Sequence, residues 1–241
     1  MSSRSRTPIR ERAGHRGFAP LLAAHFLGAF NDNLLKMVIS LIAAGGVAAG
    51  AGGAAYLSLT GVVFVAPYLL FSGWAGSLAD ACDKRLVLVS SKVFEIGVMV
   101  LAACGLAERD LDLLLLALFL AASQATFFGP ARYGIVPDLV PPKRLSRANG
   151  ALEACRQTAV ILGTIAGGIL LGSLGDRPGA IGAILIALAF AGALASFGIG
   201  APSPTAGSVR VSWHPWRGIA AGIAGLRADR RLALAVLGIT W

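Results

Sequence analysis

The sequence predicts an all-α integral membrane protein, and three observations carry that prediction. Of its 241 residues, 56% are hydrophobic and 14% are charged, with a mean hydropathy of +0.74. A soluble domain carries about a quarter charged residues. Six apolar segments, near 19–43, 55–79, 86–107, 111–131, 150–172 and 180–201, each reach the ~20 residues that cross a bilayer core of roughly 30 Å. Lys and Arg fall in alternate connections between those segments.

Backbone groups in lipid must be satisfied within the segment, so these runs are helices; a barrel would show alternating strands of about ten residues. The basic tail, residues 1–18, carries Arg4, Arg6, Arg10, Arg12 and Arg16 ahead of the first run. That resembles a signal peptide, but the run from Ala19 to Ala44 exceeds the ~7–15 residues of a signal core, so it reads as a retained first helix. "GGVAAGAGGA" (45–54) is an uncharged connection, and residues 19–201 form a six-helix bundle. Residues 202–231 read as a linker, "PSPTAGS", followed by an interfacial helix. Trp213, Trp216, Ile219, Ile223 and Leu226 would face the membrane and the Arg residues would face phosphates. Residues 232–241 read as the start of a truncated seventh helix, since ten residues cover only about 15 Å.

The net charge of +9 does not indicate nucleic acid, because the cations segregate by loop. One side holds the tail, Lys84 and Arg85, Arg132, Lys143, Arg144 and Arg147, and the five Arg residues after helix 6. The other side holds only Arg109 and Arg177. This bias places the N-terminus and the even-numbered connections in the cytoplasm. Cys82, Cys104 and Cys155 fit neither a metal site nor a disulfide framework. No metal or cofactor is expected.

The first apolar run contains "FLGAFNDNLLKMVIS", with Asn31, Asp32, Asn33 and Lys36 in its middle. At 100° per residue, His25, Asp32 and Lys36 share a face about 40° wide. A charge at the bilayer centre costs at least ~2.5–3.5 kcal/mol, so this stripe must face a polar interior. Two readings stand: Asp32 and Lys36 neutralise each other as an i,i+4 pair, or the stripe is a binding site in which Asn31 and Asn33 add hydrogen bonds.

Helix 5 repeats the theme with Glu153, Arg156 and Gln157, as an interface salt bridge or as a site or gate element. Gly163, Gly167, Gly168 and Gly172 form two consecutive GxxxG patterns that mark close helix contact. Lys92 and Glu95 read as a structural pair, with Lys92 snorkelling toward the cytoplasm. Ser123, Gln124 and Thr126 are candidates to line a cavity, and Gly129-Pro130 is expected to end or kink helix 4. The 2–3 connection, "GSLADACDKR", holds Gly76, Leu78 and Asp80 before Lys84 and Arg85; Gly76 would permit close packing and Asp80 would cap a helix or hold an Arg.

Gly76, Leu78, Asp80, Lys84 and Arg85 match the 2–3 loop signature of the major facilitator superfamily, with Asp83 where many members have Gly. "FLGAFNDNLLK", "FFGPARYGIVPDLVP", "ANGALE" and "LGTIAGG" together resemble its lysophospholipid transporter branch, over residues 19–200. That branch includes free-standing bacterial inner-membrane flippases and transporter domains fused to an acyltransferase and an acyl-carrier-protein ligase. The resemblance implies a twelve-helix transporter of two halves, helices 1 and 4 lining a cavity and helices 3 and 6 peripheral. This chain corresponds to the N-terminal half, and the reading is of a fragment whose C-terminal half is missing. The implied partners are membrane lipids and a lysophospholipid or other amphipathic small molecule. The implied substrate and transport residues are Asn31, Asp32, Asn33, Lys36, Gln124, Glu153 and Arg156, with Lys36 or Arg156 receiving the anionic head. The resemblance also implies that Gly76, Asp80, Lys84 and Arg85 form a conformational gate. The alternatives are the membrane portion of a fused acyltransferase, for which no His-x4-Asp motif is seen, a proton-coupled solute or drug exporter, and a non-transporting remnant.

The orientation is tested at Cys82, in the 2–3 connection. A membrane-impermeant thiol reagent is expected to label it in inverted vesicles and not in intact cells; labelling from outside reverses the assigned topology.

Overall fold

The structure is a computed structural model that describes residues 17–48 and 53–200. Six long helices cover almost all of them: α1 Phe18–Ala48, α2 Gly53–Ala81, α3 Lys84–Glu108, α4 Leu111–Leu139, α5 Leu145–Leu174 and α6 Pro178–Phe197. A single 3-10 turn, Pro142–Arg144, precedes α5. All six helices are long and apolar enough to cross a membrane. Residues 1–16 of the basic tail, residues 49–52 of the first connection, the linker and interfacial helix at 202–231, and the expected seventh helix at 232–241 lie outside the described residues.

Two expected boundaries move. Helix 4 does not end at Gly129-Pro130: α4 runs on to Leu139 with Pro130 and Pro137 inside it. A membrane helix tolerates proline because neighbouring helices and local adjustment satisfy the freed carbonyl. α5 begins at Leu145 rather than near 150. Arg132, expected in a cytoplasmic connection, therefore lies within α4 and is buried.

Two of the turns between helices are closed by side chains. Asp83 caps α3, its Oδ1 accepting from the backbone N–H of Arg85 at 2.8 Å and of Leu86 at 3.4 Å. Asp110 caps α4 in the same way through Asp112 and Leu113. Each cap satisfies N–H groups that a helix start leaves open.

α1 packs most extensively on α5 and then on α6; α4 packs on α2 and α3; α3 packs on α6. Exchanging α1 with α4, α2 with α5 and α3 with α6 leaves this main pattern unchanged, the mark of two three-helix repeats. One apolar cluster joins α1, α3, α4 and α6 around Leu35, Ile39, Met99, Leu118 and Leu185. A second gathers near the α2–α3 and α4–α5 turns around Leu21, Leu88, Ile135 and Leu152. α2 and α5 bury the smallest share of their length and expose Val62, Leu69, Ile161 and Ile169.

The glycines of α5 divide in two. A Cβ on Gly163 would collide with the Phe30 carbonyl, and one on Gly167 would lie 2.8 Å from the Leu34 carbonyl oxygen. Gly168 and Gly172 have nothing within 4 Å of an added Cβ. Only the first GxxxG pattern serves the α1–α5 contact. Gly163→Ala is expected to lower the thermal midpoint in detergent, a cost of about 1–3 kcal/mol for overpacking. Gly172→Ala is expected to leave the midpoint unchanged or raise it slightly, because Ala favours the helix. Equal effects of the two changes would contradict this assignment.

Candidate functional site

A cavity of about 520 Å³ opens between α1, α2, α4 and α5, with one wall completed from α3. Along α1 it extends from His25 to Lys36, eleven residues or roughly 16 Å at the helical rise. α1 contributes His25, Gly28, Ala29, Asp32, Asn33 and Lys36; α2 contributes Phe64 and Tyr68; α4 contributes Gln124, Phe128 and Arg132; α5 contributes Arg156 and Val160. The expected stripe of α1 does face a polar interior, and Asp32, Asn33, Lys36, Gln124 and Arg156 come together there.

Within the stripe, the pairing differs from the simple expectation. No ion pair joins Asp32 to Lys36. Lys36 Nζ instead sits 4.4 Å from the centre of the Phe64 ring, a cation–π contact. Asp32 is buried, and its Oδ1 has no hydrogen-bond partner among the described residues. Asn33 Nδ2 donates to the Ala29 carbonyl at 2.7 Å. Asn31 is fully buried away from the cavity, and its Nδ2 donates to the Leu185 carbonyl at 3.1 Å. It staples α1 to α6, so the expected substrate role does not fit its position.

Two further cations enter that the sequence placed elsewhere. Lys92 does not snorkel. It is buried, pairs with Glu95 at 2.5 Å and reaches past Gly28 into the cavity wall, 4.9 Å over Phe128. A Cβ at position 28 would strike the Lys92 ammonium, so this route depends on glycine. Gln124 Nε2 approaches Glu95 Oε2 at 3.5 Å, bringing α4 to the same pair. Arg132 lines the cavity, with Nη1 2.8 Å from His25 Nδ1 and its guanidinium 4.3 Å over Tyr133. A neutral imidazole has one acceptor nitrogen for that donor. The signal for Arg132 was present in "FFGPARYG", but ending the helix at Pro130 hid it. Ser123 and Thr126 do not line the cavity; each hydroxyl donates to the carbonyl one turn back in α4.

Glu153 stays outside the cavity at its rim. Its carboxylate accepts from Arg156 Nη2 at 2.5 Å, from Gln157 Nε2 at 3.2 Å and from Tyr133 Oη at 3.4 Å. It positions Arg156 rather than facing the space itself.

At the 2–3 turn, the cap is Asp83, not Asp80, which is exposed and makes no ion pair among the described residues. An added Cβ on Gly76 meets nothing within 4 Å, so no close packing requires glycine there. Lys84 Nζ lies 3.9 Å from Asp138 of α4. Arg85 Nη2 donates to the Phe197 carbonyl at 3.0 Å, at the C-terminal end of α6. Both basic residues tie the start of α3 to the ends of other helices, and a cation at a helix C-terminus is favourable.

Residues 18–241 match the Major Facilitator Superfamily. The chain belongs to that family. As a major facilitator protein it is a multi-pass membrane protein of a transporter family, with six of its helices described. It is also similar to proteins named lysophospholipid transporter LplT. The match to the Citrobacter koseri protein is 30% identical over 200 residues, covering 83% of this chain and 46% of the relative. The Escherichia fergusonii protein matches with the same identity and coverage. The Salmonella paratyphi B protein matches at 30% over 182 residues, 75% of this chain and 42% of the relative. The chain thus spans about half the length of these relatives. No solved structure matches it at a significant level.

The buried pair yields a test. Lys92→Met leaves Glu95 charged and unpaired inside the bundle, a loss of about 3–5 kcal/mol. Lys92→Met with Glu95→Gln removes both charges and is expected to recover most of the thermal midpoint. A double variant no more stable than Lys92→Met alone would show that the pair is not what holds these groups.

Proposed function

We propose that the chain forms the N-terminal half of a lysophospholipid transporter of the bacterial inner membrane, with its N-terminus in the cytoplasm. The observation that carries this reading is the charge of the cavity. Its lining holds four cationic side chains, Lys36, Lys92, Arg132 and Arg156, and one carboxylate, Asp32. Lys92 is held by Glu95 and Arg156 by Glu153. Lys36 and Arg132 have no acidic partner within ion-pair distance among the described residues, and they are the groups we assign to a lipid phosphate. A guanidinium donates to phosphate in a fixed fork, while an ammonium acts as a point charge. The names of the relatives support the same substrate class. The single acyl chain would lie along Phe64, Tyr68 and Val160, where the cavity wall is least polar. The Asp32 carboxylate at mid-cavity is the natural partner for a cationic headgroup amine.

Alternating access requires two bundles moving about a central site. The uncovered apolar faces of α2 and α5, on either side of the cavity, are where we place a second six-helix half. We assign the 2–3 turn, through Lys84 and Arg85, to the movement between halves. The reading is of a transporter rather than an enzyme.

Equilibrium binding of radiolabelled lysophosphatidylethanolamine to the purified chain in nanodiscs tests the site. Lys36→Gln and Arg132→Gln are each expected to weaken binding at least tenfold, and Arg156→Gln less. Asp32→Asn combined with Lys36→Gln is expected to remain as weak as Lys36→Gln, since the two residues do not neutralise each other. Recovery in that double variant, or unchanged binding in Arg132→Gln with an unaltered thermal midpoint, would sink the assignment.

A further inference from the structure

At one end of the central cavity a guanidinium from α4 meets an imidazole from α1. Arg132 and His25 are 7% and 5% exposed, and both line the cavity. Arg132 Nη1 lies within hydrogen-bond distance of both ring nitrogens of His25. A guanidinium can only donate, whereas a neutral imidazole carries one lone pair, on one nitrogen or the other according to its tautomer. In either tautomer the accepting nitrogen is within reach of Nη1. The imidazole is itself held against Phe128, one turn before Arg132 on α4, with ring centroids 6.1 Å apart and planes inclined by 21°. The guanidinium also lies 4.3 Å over the Tyr133 ring.

What this arrangement lacks is an acid. No carboxylate lies within ion-pair distance of Arg132 among the described residues. Glu153 is engaged by Arg156, Gln157 and Tyr133 instead. A buried cation without a counter-charge is costly, and an arginine kept only for stability belongs opposite an acid. The imidazole does what neither a carboxylate nor a leucine could do in its place. It accepts one N–H, so that donor is not left buried and unsatisfied. It also leaves the positive charge uncancelled. Only one of the five guanidinium N–H groups is used in this way, and Nε has no partner among the described residues. A cation oriented before its ligand arrives loses less freedom on binding.

We propose that His25 is a positioning residue whose lone pair fixes the Arg132 guanidinium at the cavity wall, oriented but not neutralised, for an anionic group. The proposal rests on the assignment of Arg132 to a lipid phosphate and adds the residue that aims it. His25 acts through Arg132 and not on the ligand directly.

The test uses the full 241-residue chain in nanodiscs, with radiolabelled lysophosphatidylethanolamine as the probe and the thermal midpoint of each variant as the check on folding. His25→Leu removes the acceptor and is expected to weaken binding at least fivefold. His25→Asn and His25→Gln place an amide oxygen near the positions of Nδ1 and Nε2 respectively, and at least one is expected to restore binding to within twofold of the unaltered chain. His25→Glu would hold Arg132 but cancel its charge, and is expected to bind as weakly as Arg132→Gln. Adding His25→Leu to Arg132→Gln is expected to cost less than a further twofold, which a general loss of packing at position 25 would not produce. A second readout needs no lipid. In nitrogen NMR of the chain labelled at histidine, the His25 signal is the one lost in His25→Asn. Its unprotonated nitrogen is expected to move downfield in Arg132→Gln, as its lone pair is released. Failure of both amide variants, unweakened binding by His25→Leu or His25→Glu, additive losses in the double variant, or a His25 signal indifferent to Arg132→Gln would each overturn the proposal. Absent lipid binding by the unaltered chain, with the His25 signal still answering to Arg132, would overturn the substrate assigned to the cavity and support the positioning contact.

Discussion

The approach of α1 to α5 fixes the rest of the bundle. The carbonyls of Phe30 and Leu34 lie where side chains at Gly163 and Gly167 would be. Within a membrane, lipid tails are as apolar as leucine, so helices associate through close contact and polar bonds rather than by escaping water. The contact sets how α1 is rotated. Taking His25 as zero at 100° per residue, positions 30, 34 and 37 point to about 120–180°, toward α5. Asn31, bonded to Leu185, points to about 240°, toward α6. The remaining arc, from Gly28 through His25, Lys36, Ala29 and Asn33, is the cavity face.

That rotation also decides how the buried charges are held. Lys92 comes from α3, one helix behind the cavity wall, and passes through the gap left by Gly28. Its carboxylate partner lies one turn along α3, and Gln124 of α4 approaches the same oxygen. Breaking such a pair leaves a charge with no solvent to accept it. The pair is therefore a fixed part of the wall. Arg156 is paired with Glu153 at the exposed rim, with Gln157 and Tyr133 on the same carboxylate, a weaker restraint than the buried pair. What remains adjustable is Lys36, on the face of an aromatic ring, and Arg132, against an imidazole. Neither contact cancels a charge. The wall thus combines neutralised groups that give shape with cations whose charge still acts on the cavity.

The fold was legible because hydropathy and loop charge report directly on the bilayer, and the α1 stripe was legible because helical periodicity puts His25, Asp32 and Lys36 on one face. Other features were not. Asn31 and Asn33 are two residues apart, and only the neighbouring helices decide that one faces α6 and the other the cavity. Lys92 read as a snorkelling residue because sequence shows the length of its side chain but not the hole opposite. The hole is Gly28, on another helix. Arg132 was assigned to a loop because Gly-Pro usually breaks a helix in water, whereas α4 continues for nine residues past Pro130. The capping residue of α3 was displaced by three positions, from Asp80 to Asp83, because the chain leaves α2 only at Ala81.

The repeat relation gives these particulars a common cause. α1 and α4 are equivalent under the exchange of the two three-helix units, and both present polar side chains to the cavity: Asp32, Asn33 and Lys36 from one, Gln124 and Arg132 from the other. α2 and α5 are likewise equivalent and flank the cavity, contributing Phe64 and Tyr68 on one side and Arg156 and Val160 on the other. α3 and α6 close the back, and Arg85 at the start of one donates to the last carbonyl of the other. Symmetry in the backbone is thus not carried into the side chains. The α1–α3 half supplies the Asp32 carboxylate and the ammonium groups of Lys36 and Lys92, while the α4–α6 half supplies the guanidinium groups of Arg132 and Arg156 and no carboxylate. A cavity with matched walls but unmatched charges has a polarity along its length, with Arg132 and Arg156 toward the 2–3 turn and Lys36 beyond its middle. An amphipathic molecule bound there would have a preferred orientation, which a symmetric lining could not impose.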